Sequence, residues 1–416
     1  MAGCALRRSL GRRFRWFWAA YAVSTFGTWL AFDAFALIAI LALDAGPAEV
    51  SVLAAAGLAV GAVVAVPLGP WVEFRRKRPV MIAMDLIRFT ALMSVPAAYV
   101  LGLAELRSAP GGAVVVGAAD IAFTAASGAC LKSLVRSEDL LVANGRFEAT
   151  TWTATALGPP LGTAAIGLMG PVTSVAANAV SFLLSAVGIR AIGGREPRPA
   201  RTATPPRAPE PATCWRDGGT LLASPALRPL FLQHCPGQRP DHGGLTVARR
   251  PSCSATSGSR PGSTASPSAF PASAASSARD WPRPLLARFG QHKVMLTAGT
   301  LRACWPLGLA FVHPGPTGLL PRHRRRTRLI TCMGVFNPVF ATYRLERLPS
   351  DRVVRTLSAW SITSKATVAA MTGVWGLLAG LTGPRIAIAI AGLLLMATSL
   401  LLPRHDRTPS ERQTLA

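Results

Sequence analysis

The chain has 416 residues, half of them apolar and only 15% charged, whereas a soluble domain usually carries about a quarter charged residues. That balance, with a positive mean hydropathy, excludes an ordinary water-soluble globule and fits one polytopic membrane protein. The net charge of +25 raises nucleic acid as a partner, but the cations fall in loops between apolar runs, so no nucleic acid is expected.

The first apolar run, residues 16–43, follows arginines at 7, 8, 12, 13 and 15. It is too long for the apolar core of an export signal and has no clear small-x-small cleavage site. It is therefore read as a first transmembrane helix, with Trp16, Trp18 and Tyr21 at the interface. Runs at 50–68, 80–103, 112–131, 150–168 and 172–189 complete six spans, close to the roughly 20 residues a helix needs to cross hydrocarbon. The cations sort by side. Arg75, Arg76, Lys77 and Arg78 follow the second span, Lys132, Arg136 and Arg146 the fourth, and Arg190 and Arg195 the sixth. The opposite loops, 44–49, 105–111 and 169–171, hold only Arg107. This bias predicts that the N-terminus and the central loop lie in the cytoplasm.

The most informative stretch is the hairpin of residues 50–103. Its tip carries Gly69-x-x-x-Glu73-x-x-x-Lys77-Arg78, with Arg75 and Arg76 between. The continuation is Met84-Asp85-Leu-Ile-Arg88, and a later pentapeptide reads Gly158-Pro-Pro-Leu-Gly162. These residues resemble the loop between helices two and three, and the exporter motif, of the major facilitator superfamily, in its drug:proton antiporter branch. Glu73 stands where the family has aspartate, Phe74 and Arg76 replace an arginine and a glycine, and Thr163 replaces the second of two paired glycines. The resemblance implies two six-helix halves and a cytoplasmic latch formed by Gly69, Glu73, Arg75, Lys77 and Arg78. Asp85 and Arg88, three apart on one helix face, either join that latch or form a local ion pair. Arg146 and Glu148, entering the fifth helix, would contribute to the same network or simply sit at a solvated helix start.

Residues 191–216 are rich in Pro, Arg, Ala and Thr and read as a linker between halves. Residues 217–232 then read as an interfacial helix leading into a seventh span. From Gln233 to Arg283 the chain is Ser, Pro, Gly, Ala and Arg, with no run long enough to span, a composition typical of disorder. It replaces two expected helices. Arg288-Phe-Gly-Gln-His-Lys293 resembles a degenerate second copy of the cationic loop, as an internal repeat would supply. Spans are expected at 294–312, 329–343 (shortened), 357–381 and 386–402. Residues 321–328, Pro-Arg-His-Arg-Arg-Arg-Thr-Arg, place many cations where a non-cytoplasmic loop should be. Both anomalies are what a frame error in GC-rich coding DNA would produce, and the rival reading is a true cytoplasmic insertion.

Carboxylates within spans are costly and tend to face cavities. Asp33 and Asp120 are thus candidates for substrate binding or proton coupling, against the plainer reading of an acid paired for helix packing. Pro159 within 158–162 should bend the fifth helix, and Gly158 and Gly162 should admit a close neighbour. Lys365 reads as an interfacial anchor. The seven cysteines are scattered without a C-x-x-C, so neither a disulfide framework nor a metal site is expected. The absence of a P-loop argues against ATP-driven transport, and no reactive cluster supports an enzyme.

The expected fold is thus all-α and integral to the membrane, with two six-helix halves of which the second is incomplete, leaving about ten recognisable spans. Residues 1–190 form the first half, 191–226 the linker and interfacial helix, and 227–416 the second half. The expected function is proton-coupled efflux of small amphipathic compounds across the plasma membrane by a monomer with both termini cytoplasmic, without a cofactor. The competing expectation is a non-transporting or defunct membrane protein.

Overall fold

The computed structural model describes residues 10–31, 60–61, 63–64, 72–73, 75–101, 109–194, 196, 281–310, 319–348, 353–382, 390 and 393. Nine α-helices are described: α1 Gly11–Leu30, α2 Lys77–Val100, α3 Ala109–Leu134, α4 Leu140–Met169, α5 Pro171–Arg190, α6 Pro282–Phe289, α7 Gln291–Ala310, α8 Leu319–Arg347 and α9 Val353–Thr382. Among the described residues, three helices are long and apolar enough to cross a membrane: Lys77–Ala97, Val114–Leu134 and Val172–Arg190. At 1.5 Å per residue, 21 residues give about 32 Å, close to the roughly 30 Å hydrocarbon core. The outward faces suit that solvent. Leu168 is 85% exposed, and Leu184 and Val187 are more than half exposed, a surface that lipid tolerates better than water.

In the first half, α1 and α4 run parallel. Phe147 packs edge-on against Phe14, Phe17 and Tyr21, the Trp18 indole donates to Thr150 at 2.9 Å, and further along Gly158 faces Trp29. A side-chain carbon at Gly158 would lie 2.9 Å from the Trp29 carbonyl carbon, and one at Gly162 would run into the Leu30 carbonyl. The glycines let two backbones touch, which is how helices associate where the hydrophobic effect is absent. The helix continues through Pro159 and Pro160. α5 returns antiparallel to α1, turned by Gly170 at φ +84°, and its Gly188 meets Ala20.

The two halves meet along two antiparallel seams. Leu357 of α9 fills the space over Gly128 of α3, and Asn144 of α4 donates to Thr342 of α8 at 2.9 Å. One buried apolar cluster crosses both seams, joining Ala125, Ala126 and Leu131 of α3 to Phe336 and Val339 of α8 and to Leu357 and Trp360 of α9. The seams lie at the end of the bundle that carries the start of α1, Arg75 to Arg78 and Arg136, called here the basic end.

Several boundaries differ from the sequence reading. The fifth span, expected over 150–168, begins ten residues earlier at Leu140, because polar Asn144, Arg146 and Glu148 hide a helical start that hydropathy alone cannot see. The shortened span of 329–343 is part of the 29-residue α8, whose backbone is helical through 321–328 as well. Arginine is a good helix former, so a cationic run need not break a helix. Residues 191–194 and 196, within the expected linker, pack on the first half (below). Of the expected spans at 50–68 and 386–402 only residues 60–61, 63–64, 390 and 393 are described, all of them helical, and nearly all of the anomalous 233–283 lies outside the described residues.

Candidate functional site

The polar groups of the basic end fall into a loop layer and a deeper charge cluster. In the loop layer, Glu73 accepts from the Arg355 Nε of α9 at 2.6 Å, with both side chains largely buried. This ion pair ties the tip of the first hairpin to the second half. Lys77 folds its ammonium back onto the carbonyls of Val72, Glu73 and Arg75 at 3.0, 2.5 and 2.8 Å, holding the tip in shape. Arg78 donates to the carbonyls of Gly193 and Gly194 at 2.5 and 3.2 Å. The Glu196 carboxylate accepts from the backbone amides of Lys77 and Arg78 at 2.7 and 3.1 Å. A carboxylate on those otherwise unpaired amides both satisfies them and complements the helix dipole. Arg75 is exposed at the surface of the tip. Gly69 lies outside the described residues.

A second tie between the halves, at the basic end of the α3/α9 seam, is Lys132 of α3, whose ammonium donates to the carbonyls of Leu345 of α8, at 2.9 Å, and of Leu348 just past it. The last four carbonyls of a helix have no partner within it, and here a lysine from the opposite half takes up one of them and the carbonyl that follows the helix.

Deeper along the same seam lies the charge cluster. Arg88 forms an ion pair with Asp85, one turn away on α2, and donates to Asp120 of α3 at 3.3 Å. Its guanidinium lies between the rings of Phe123 and Phe182, 4.3 and 4.4 Å from their centroids. Asp85 and Arg88 are buried, at 0% and 5% side-chain exposure. The other Asp120 oxygen accepts from Lys365 of α9 at 2.6 Å. Two acids and two bases thus alternate as Asp85, Arg88, Asp120 and Lys365, and the last link crosses between halves. Asp85 and Arg88 engage Asp120 rather than Glu73, and Lys365, read from the sequence as an anchor, reaches into the seam.

The α4/α8 seam carries a further acid. Glu148 Oε1 accepts from the Asn337 amide of α8 at 2.5 Å and from the Trp152 indole at 2.9 Å. Asp33 lies outside the described residues. Gly158 and Gly162 face α1, away from both seams, while Pro159 is half-buried. The aromatic rings around Arg88 and the roles of Lys365, Glu196 and Arg355 were not foreseen from the sequence. Phe123 and Phe182 could have been suspected only from helical phase relative to Arg88.

Helices with lipid-compatible faces among the described residues, two helix groups closing on each other at one end, and a charge cluster between them fit the architecture of a membrane transporter. The comparisons with known proteins agree. The family profile described as Major Facilitator Superfamily matches residues 17–252, more than half of the chain, so this protein belongs to that superfamily. Its members are transporters rather than enzymes, they are membrane proteins, and their fold implies a small-molecule substrate.

Among solved structures, the chain is similar to a bacterial homologue of the iron transporter ferroportin in an outward-facing state, with a TM-score of 0.71 and 15% identity over 94% of this chain and 98% of that one. It is also similar to the human organic anion transporter TETRAN, at TM-score 0.65 and 13% identity over 94% and 99%. A third likeness is to the Escherichia coli fucose:proton symporter, at 0.61 and 11% over 95% and 100%. At these identities the likeness is one of fold. No curated protein matches the sequence.

Proposed function

We propose that this protein is a secondary active exporter of small amphipathic compounds, driven by protons and working by alternating access in the plasma membrane. The observation that carries this reading is the location of the cross-half ties. Among the described residues, six hydrogen bonds or ion pairs that join the halves, made by Glu73, Asp120, Lys132, Asn144 and Glu148, lie between the basic end and the Asp120–Lys365 pair. A bundle zipped from one end to mid-depth is closed on that side, and with the basic end cytoplasmic it would open outward. Asp120 and Glu148 supply carboxylates in the seam that must part, and a fixed site between two rocking halves is how this kind of transporter works. Charge moving across the potential is worth about 2.3 kcal/mol per 100 mV, enough to drive export. The resemblance of residues 69–78 and 158–162 to the exporter branch favours efflux, and one protein of similar fold is a fucose:proton symporter.

A second reading is favoured by residues 233–283, whose composition replaces two spans. On that reading the chain as written is a non-transporting membrane protein, and a frame error accounts for the segment and for 321–328. Both readings are separated by expressing the written chain and a frame-corrected version in a host lacking its main efflux pumps. Resistance to amphipathic cations from either version supports export, and resistance from the corrected version alone supports the frame error. No resistance from either contradicts the exporter reading. The coding DNA decides the frame question directly: if no shifted frame over codons 233 to 283 encodes two long apolar runs, the segment is a true insertion.

A further inference from the structure

Two carboxylates sit in the seams between the halves, and their surroundings differ. Asp120 faces two cations, Arg88 and Lys365, so a proton arriving there must compete with both. Glu148 faces two neutral donors, the Asn337 amide and the Trp152 indole, both on the same oxygen.

The charged and titratable groups on the surrounding elements are otherwise engaged or turned outward. On α1, the Tyr21 hydroxyl bonds to Thr151 at 2.8 Å, and Arg12, Arg13 and Arg15 are exposed. On α4 itself, Arg146 stacks over the Phe14 ring. On α5, Arg190 is exposed. On α6, Arg288 lies over Phe289. On α8, Arg344 lies over Phe340 and Trp360, and Glu346 accepts from Gln291. Among the described residues, Glu148 makes no ion pair.

Its cross-seam partner sits at a weak point of α8. Asn337 precedes Pro338 within the helix, and a proline there removes one backbone bond and lets the helix bend. Thr342, which accepts from Asn144 across the same seam, donates back to the Pro338 carbonyl at 2.8 Å. The polar ties of the α4/α8 seam therefore converge on the one turn of α8 where the backbone ladder is broken.

We propose that Glu148 is the residue through which a proton loosens the seam between the halves, with Asp120 a charge-compensated positioning residue in the neighbouring seam. This rests on the proton-driven reading above. The ionised carboxylate makes charge-assisted bonds to Asn337 and Trp152, roughly twice as strong as neutral ones. A proton arriving on Glu148 from the open side removes that charge, weakens the tie and frees the Pro338 turn, so the basic end parts. Loss of the same proton to the opposite side restores the charge and closes the seam. The order suits an antiporter, in which the protonated carrier returns to face the cytoplasm.

The test uses the full chain in lipid nanodiscs, without its native cysteines, carrying spin labels at E138C and R288C, exposed positions on the two halves. Pulsed spin-resonance distances are recorded from acidic to alkaline pH. Acidification is expected to raise the long-distance population by about threefold, the scale of one interhelical hydrogen bond in lipid. Glu148→Gln should give the acid distribution at every pH, whereas D120N should change the populations but keep the pH response. Asn337→Ala, which leaves the acid but removes its cross-seam donor, should raise the open population at alkaline pH. An E148Q protein that titrates like the parent overturns the inference and leaves proton coupling standing, as does an N337A protein indistinguishable from the parent should E148Q not fold. A parent protein whose distances ignore pH overturns both.

Discussion

Replacing Arg88 by Met is the sharpest test of how the charge cluster is built. Asp85 is fully buried and Arg88 is its counter-ion, at 0% and 5% side-chain exposure. The substitution keeps most of the side-chain volume between Phe123 and Phe182 but strands the Asp85 charge. Breaking a buried pair in this way costs about 3–5 kcal/mol. Asp120 loses less, because it retains Lys365 at 2.6 Å and is 39% exposed. K365M should therefore cost about 1 kcal/mol or less, as exposed pairs do. At roughly 2 °C per kcal/mol for a large chain, R88M should lower the melting temperature by about 6–10 °C and K365M by about 2 °C. The double variant D85L/R88M should recover most of the loss, since no charge is left unpaired. Size-exclusion chromatography of heated, detergent-solubilised protein measures all three. An R88M protein as stable as the parent, or a double variant no better than R88M, refutes the assignment of Asp85 and Arg88 as a buried pair.

Two further substitutions probe the scaffold. Gly162→Val puts a side chain against the Leu30 carbonyl and should cost about 1–3 kcal/mol by overpacking, read as a drop in melting temperature with G167V, which meets open space, as the control. Glu196→Ala removes the carboxylate from the Lys77 and Arg78 amides and should cost about 1 kcal/mol, the usual worth of such a cap. Hydrogen exchange in the first turn of α2 should rise in that variant and remain unchanged in the rest of α2.

The membrane class and the helices of the first half at 80–103, 112–131, 150–168 and 172–189 were legible because hydropathy is a property of single segments. Asp120 was legible as unusual for the same reason, being a carboxylate inside an apolar run. Its partners were not, since Lys365 lies 245 positions away in sequence and nothing local distinguishes a lysine that snorkels from one that crosses a seam. Glu148 was masked differently: beside Arg146 and Asn144 it reads as a solvated helix start, and only the return of α8 with Asn337 buries it in an interface. Glu196 sat in a stretch whose Pro and Arg content reads as linker, although the turn at Gly193 and Gly194 brings it back onto α2. The helical backbone of 321–328 was hidden because cation sidedness was weighed above the helix propensity of arginine.

On the proposed mechanism α4 and α8 close at the basic end and must part for transport. Joining them covalently tests this most directly. In a protein without native cysteines, Asn144→Cys and Thr342→Cys replace side chains that already meet at 2.9 Å. Oxidation should form the disulfide in high yield and abolish proton-driven uptake of ethidium into everted vesicles, and reductant should restore it. Uptake that continues at full rate in the cross-linked protein, or a pair that never cross-links in folded protein, would contradict it.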